Sequence, residues 1–215
     1  MNDFDSTPDA DQEAESSASQ PARKRPAKGE RRIEILQAFA AMLQEPGGEK
    51  VTTAALAKRL SVSEAALYRH FASKAQMLEG LIDFIEDSVL ALMRQAQEKE
   101  ADPQAQCARM MQVVLQFGQV NPGMVRIMVG DALLHEHERL GVRMQLFHDK
   151  IESMLRASWR AHAERLGHAA PTADAKAHGE VMANVLQGRL LRFARSGWRA
   201  QPVDGLNEAL GIMLA

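Results

Sequence analysis

Apolar positions after residue 30 recur at intervals of three and four, the spacing that lines one face of an α-helix, and strand-like alternation is scarce. Ile33, Leu36, Ala40 and Leu43 form the first stripe and predict a helix over about 30–44, ended by the turn-forming Pro46-Gly47-Gly48. Thr52 and Thr53 then offer a hydroxyl cap to Ala54, Leu56, Ala57 and Leu60, predicting a short helix over about 53–60. Ser61-Val62-Ser63 is long enough only for a tight turn, and Ser63 can cap a third helix running from Glu64 to His70. A longer pattern starts at Ser73 and carries Met77, Leu78, Leu81, Ile82, Phe84, Ile85, Val89 and Leu92 to about Gln97. Asp102-Pro103 opens a further helix, Asn121-Pro122-Gly123 interrupts it, and another follows through Val125, Ile127, Met128 and Leu133. Two long patterns, about 143–166 and 172–197, and a short one over about 204–214 complete an all-α chain.

The two helices over about 53–70 have the spacing of a helix-turn-helix. Leu56, Leu60, Val62, Leu67 and Phe71 can share one small core, which leaves Ser63, Glu64, Ala65, Tyr68 and Arg69 for an outer face. Small residues at the start of the third helix let its backbone approach DNA, while Tyr68, Arg69 and the hydroxyls of Thr52 and Thr53 reach phosphates or base edges. The two long helices near the end offer more apolar surface than one small domain can cover. Two such pairs can close a four-helix bundle about a two-fold axis, so a homodimer is expected, with an internal hairpin as the alternative.

Charge strengthens the nucleic-acid reading. The whole chain of 215 residues carries a formal net charge of only −2, but the distribution is uneven. Residues 1–22 hold Asp3, Asp5, Asp9, Asp11, Glu13 and Glu15 with no Lys or Arg, and are expected to be a disordered acidic tail. Arg23, Lys24, Arg25, Lys28, Arg31 and Arg32 follow as a basic arm. Residues 23–78 sum to +6, whereas everything from position 79 onward sums to −2. A basic unit beside a near-neutral body is the electrostatic footprint of phosphate-backbone binding. The expected organisation is a tail and arm over 1–27, a DNA-binding unit over 28–78 and a helical dimerisation and partner-binding body over 79–215.

Other chemistry finds little support. Cys107 is the single cysteine, so no intramolecular disulfide can form, and a reducing cytoplasm is the expected address. No uninterrupted apolar run approaches the roughly 18–20 residues that span a bilayer, and no membrane partner is expected. His135-Glu136-His137-Glu138 invites a metal reading, but on a helix the two imidazoles point to different faces, so no metal is expected. His162, His168 and His178 read as exposed helix and loop residues, and Met110, Met111, Met124, Met128 and Met144 read as core. No phosphate loop or nucleophile arrangement is apparent, so neither enzyme activity nor a cofactor is expected.

Residues 28–78, with Leu56-Ala57, Val62-Ser63, Ala66-Leu67-Tyr68-Arg69-His70-Phe71 and Ser73-Lys74, resemble the DNA-binding domain of the TetR family. The resemblance implies a TetR-like fold: a three-helix amino-terminal unit that binds double-stranded DNA, and a helical carboxy-terminal domain that dimerises through a four-helix bundle. Its candidate DNA contacts are Arg31, Thr52, Thr53, Ser63, Glu64, Ala65, Ala66, Tyr68, Arg69, His70 and Lys74. Phe84-Ile85-Glu86-Asp87-Ser88, Asn121-Pro122-Gly123 and Arg192-Phe193-Ala194-Arg195-Ser196 are similar to a nucleoid-associated subgroup of that family. In that subgroup, specific DNA sites are coupled to inhibition of the tubulin-like division protein FtsZ, which prevents septum formation over the nucleoid. Candidate partner contacts are Phe84, Glu86, Asp87 and Asn121, with Phe84 either the aromatic anchor of a contact or a core residue. Gln119 and Val120 depart from the subgroup, where a more polar, basic stretch precedes the asparagine. The alternative is a transcriptional repressor that a small apolar effector releases from DNA, which a hollow body would favour.

Overall fold

The computed structural model describes residues 28–45 and 51–214; the acidic tail, most of the basic arm and the Pro46-Gly47-Gly48 turn lie outside the described residues. Helices are the regular elements among the described residues. The first three are α1 (Lys28–Gln44), α2 (Thr53–Arg59) and α3 (Glu64–Tyr68), followed by the long α4 (Lys74–Lys99). The body continues with α5 (Pro103–Val120), α6 (Pro122–Met128), α7 (Glu138–Arg165), α8 (Pro171–Arg195) and α9 (Leu206–Met213).

Local chemistry sets where these helices start. Thr52 accepts a hydrogen bond from the Ala55 amide, Ser63 from Ala66, Ser73 from Gln76 and Asp102 from Ala105, each satisfying an amide that has no intrahelical partner. Pro103, Pro122 and Pro171 stand in the first turns of α5, α6 and α8, where a missing N–H costs nothing.

α1 carries apolar groups on two sides, and packing divides them. Ile35, Phe39 and Leu43 are buried in a small core with Val51, Leu56, Leu67 and Phe71. Leu36 and Ala40 turn towards the body, and Ile33 remains 58% exposed. The stripe expected from Ile33, Leu36, Ala40 and Leu43 is therefore rotated, because α1 packs against α2 and α3 on one side and the body on the other.

The two parts of the chain are bolted together at several points. α4 runs from the amino-terminal three-helix unit into the body and buries Met77, Leu78, Leu81, Ile82, Ile85, Val89, Met93 and Ala96. Gly123 at the start of α6 sits so close to α1 that a Cβ there would run into the Ala40 carbonyl. The exposed carbonyls at the end of α1 are met by the body: Arg126 donates to Leu43 at 3.4 Å, and the Trp198 indole donates to Gln44 at 2.9 Å. A ladder of ion pairs joins α4 to α7 and the turn before it: Lys74–Glu136 at 2.7 Å, Arg139–Glu79 at 2.7 Å, Arg143–Glu86 at 2.7 Å and Arg143–Asp83.

α7 and α8 form the long hairpin, and Gly179 lets α8 come against Arg156 of α7. The hairpin starts earlier than expected, at Glu138 instead of about 143, because the His137 imidazole accepts from the Arg139 amide and caps the helix. His135-Glu136-His137-Glu138 consequently occupies a corner, with His135 at φ 63° and Glu136 paired to Lys74. Among the described residues no group of three His, Cys, Asp or Glu is placed to hold a metal. His162, expected outside, is buried with its ring 5.0 Å from Trp159, because it lies two turns beyond Leu155 on the inner face of α7. Cys107 donates weakly to the Leu155 carbonyl, and burial, assisted by the charge of Asp102, pushes its thiol pKa up to about 12. No helix among the described residues is long and apolar enough to cross a membrane.

Candidate nucleic-acid interface and partner groove

The turn between α2 and α3 places Ser61 at φ 54°, and the Val62 amide returns to the Ala57 carbonyl at 3.0 Å. This folds α3 back so that Leu67 and Phe71 are buried against Leu56. The opposite face presents Thr52, Ser63, Glu64, Ala65, Tyr68 and Arg69, all exposed, with Thr53, Ala66 and His70 half-buried behind them. Because Thr52 and Ser63 use their oxygens as caps, their hydroxyl hydrogens remain available to donate to a phosphate. Thr53 Oγ1 donates to Glu64 at 2.7 Å and lies 3.4 Å from the Tyr68 hydroxyl, so three candidate contacts form one chain across α2 and α3.

The remaining basic candidates are drawn elsewhere. Arg31 pairs with Glu34 at 2.6 Å within α1, and Lys74 is largely enclosed in its pair with Glu136, turned to the body instead of the exposed face. Arg32, which the sequence pattern left in the general basic arm, has a defined structural role. Its guanidinium lies 4.1 Å from the Phe71 ring centroid and donates to the His70 carbonyl, locking the end of α3 to α1. The His70 imidazole has its Nδ1 buried without a hydrogen-bond partner.

A second feature adjoins this unit. Ile33, Leu36 and Ala40 of α1 form one wall of an apolar groove of about 440 Å³; Leu81 and Phe84 of α4, with Val120, Asn121 and Met124, form the rest. Phe84 is 48% exposed and stands 6.2 Å from Phe117, while Val120 is 76% exposed. Phe84 is thus half in the wall and half open. Asn121 donates to the Phe117 carbonyl at 2.8 Å, closing α5 and shaping the groove end. Asp87 is exposed one turn beyond Phe84. Glu86, expected to rim the same contact, instead faces α7: Arg143 at 2.7 Å and Lys150 at 3.3 Å hold it. Burial works against its charge, but the hydrogen bonds and charges of those two cations keep its pKa below the usual carboxylate range.

Fold and site together define an all-helical, two-part DNA-binding regulator with a helix-turn-helix at one end. Residues 35–81 match the family model of bacterial regulatory proteins of the tetR family, and residues 102–214 match the tetracyclin repressor-like C-terminal domain. The nucleoid occlusion factor SlmA of Idiomarina loihiensis is 41% identical over 190 residues, covering 86% of this chain and 94% of that protein. The Shewanella pealeana factor of the same name is 42% identical over 182 residues, covering 83% and 90%. Among solved structures, the TetR family transcriptional regulator PfmR from Thermus thermophilus shares the fold at a TM-score of 0.68 and 22% identity, over 85% of this chain and 95% of that one. A TetR-like regulator from Rhodococcus superposes at 0.70 with 14% identity, over 88% and 96%. The chain belongs to the TetR family, in the branch of the nucleoid occlusion factor SlmA.

Proposed function

We propose that the protein acts as a nucleoid occlusion factor: a cytoplasmic homodimer that binds chromosomal palindromes and, while bound, inhibits assembly of FtsZ so that no septum forms over the nucleoid. The observation that carries this reading is the exposed apolar groove built jointly by α1 of the DNA-binding unit and by α4–α6 of the body. It suits a short apolar segment of a protein partner, with Phe84 as anchor and Asn121 and Asp87 at its edge. The kinship to nucleoid occlusion factors over most of the chain supports the same partner.

Dimerisation is supported by the outer face of α7 and α8. Val142, Leu146 and Val181 are 56%, 54% and 49% exposed there, apolar side chains that a second copy of the chain would cover. A trough of about 560 Å³ bounded by α7, α8 and the segment from Met128 to Leu134 is lined by Leu133, Leu134, Met144, Gln145, Asn184 and Leu191, and it is open to solvent. It does not favour an effector-released repressor, which needs a site enclosed in the body.

Sedimentation of GTP-driven FtsZ polymers with the purified protein, with and without DNA carrying an in vitro selected palindrome, tests the proposal. DNA-enhanced loss of polymer that Phe84→Ala abolishes, with DNA affinity retained, is the expected result. Polymer unchanged at saturating protein and DNA overturns it and leaves a repressor.

A further inference from the structure

The DNA-facing surface contains an acid where electrostatics alone would exclude one. Between residues 51 and 73 the charged side chains are Lys58, Arg59, Arg69 and Glu64, and Glu64 stands exposed at the first position of α3. In a helix-turn-helix the amino-terminal residues of the second helix are those that meet base edges. Held there, a carboxylate is repelled by the phosphates on either side of the groove, a cost that a loosely tethered side chain would avoid by turning away. Glu64 is not loosely tethered. Its Oε2 accepts from Thr53 Oγ1 at 2.7 Å, and the Tyr68 hydroxyl, 3.4 Å from the same Oγ1, braces Thr53 from the other side. Oε2 is thereby fixed, and Oε1 is left to accept from whatever lies beyond the small, exposed Ala65.

The major groove offers an acceptor only two strong donors, the amino groups of adenine and cytosine. Adenine sets its N7 acceptor beside the amino group, which repels a carboxylate but suits an amide; cytosine presents the amino group without that neighbour. Resting on the assignment of α3 as the helix that enters the groove, we propose that Glu64 is a specificity-determining residue that accepts a hydrogen bond from the N4 amino group of a cytosine, once in each half-site.

The test selects binding sites from a randomised palindromic DNA library with the full-length protein as wild type, Glu64→Ala and Glu64→Gln. Circular dichroism and sedimentation confirm that the variants fold and associate alike. The expected result is that wild type requires cytosine at one symmetric pair of positions. Glu64→Ala then loses that requirement but keeps the rest of the site, and Glu64→Gln moves it to adenine, which an amide reads through N6 and N7. In direct binding, thymine at those positions weakens the wild type on the order of tenfold and leaves Glu64→Ala unaffected. If all three proteins select the same site and differ only by a uniform factor in affinity, Glu64 is no more than a helix-start charge and the proposal fails while the recognition helix stands. If wild type selects no sequence at all, the assignment of α3 fails and the proposal with it.

Discussion

At the scale of single residues, the exposed face of α3 and its caps have separable roles. Arg69 is exposed beyond the last turn of α3, where a guanidinium can meet phosphates or base edges. Arg69→Ala is expected to weaken binding to a selected palindrome by roughly 10-fold or more, with an unchanged melting temperature. Thr52→Ala should differ, because the same hydroxyl caps α2. It is expected to lose affinity and about 1 kcal/mol of stability together, so affinity titration and thermal melting distinguish the two residues. His148 gives a pH signature. Burial lowers its pKa, outweighing its hydrogen bond to the Met128 carbonyl at 2.8 Å and the charge of Asp149. The unfolded chain therefore takes up the proton more readily, near pH ~6.5, and stability falls as pH drops from there towards the depressed folded value. Melting temperature should decline between pH 7 and pH 5, a slope that His148→Gln flattens.

At the scale of elements, the sequence was most legible where a helix carries its own start signal. Thr52, Ser63, Ser73 and Asp102 cap α2, α3, α4 and α5 as their positions imply, because a cap bond spans only three residues. Less legible were features that depend on distant chain. Arg32 is defined by His70 and Phe71, Glu86 by Arg143 and Lys150, and the rotation of α1 by the body packed on Ala40. The start of α7 was missed because an imidazole cap has no strong sequence signature. Leu146 points outward while Phe147 and Ile151 of the same helix are buried, and it marks the expected bundle seam. Leu146→Glu is accordingly expected to give a helical monomer by analytical ultracentrifugation and circular dichroism. Palindrome binding should drop by roughly two orders of magnitude, since joining two half-site contacts multiplies their effect. A dimer that survives this change would move the seam away from α7.

At the scale of the whole molecule, charge is segregated along the chain. α1, which follows the basic arm in sequence, is fixed beside the end of α3 by Arg32. The first 22 residues carry six acids and no base, against +6 for residues 23–78. Joined covalently to the basic arm and α1, these acids are expected to compete with DNA phosphates for the same cations. Binding of each phosphate releases counterions, and log affinity falls by about 0.9 per neutralised phosphate for each tenfold rise in salt. Acids that compete for the same cations reduce the number of counterions released. Deleting residues 1–22 is therefore expected to raise DNA affinity severalfold at low salt and to steepen the salt dependence, with the two proteins converging as salt screens the tail. Fluorescence anisotropy on a selected and a scrambled duplex, over a series of salt concentrations, reads all three effects. Because the tail opposes phosphate contacts and not base contacts, its loss should favour the scrambled duplex as much as the selected one, so discrimination between them stays constant while affinity rises.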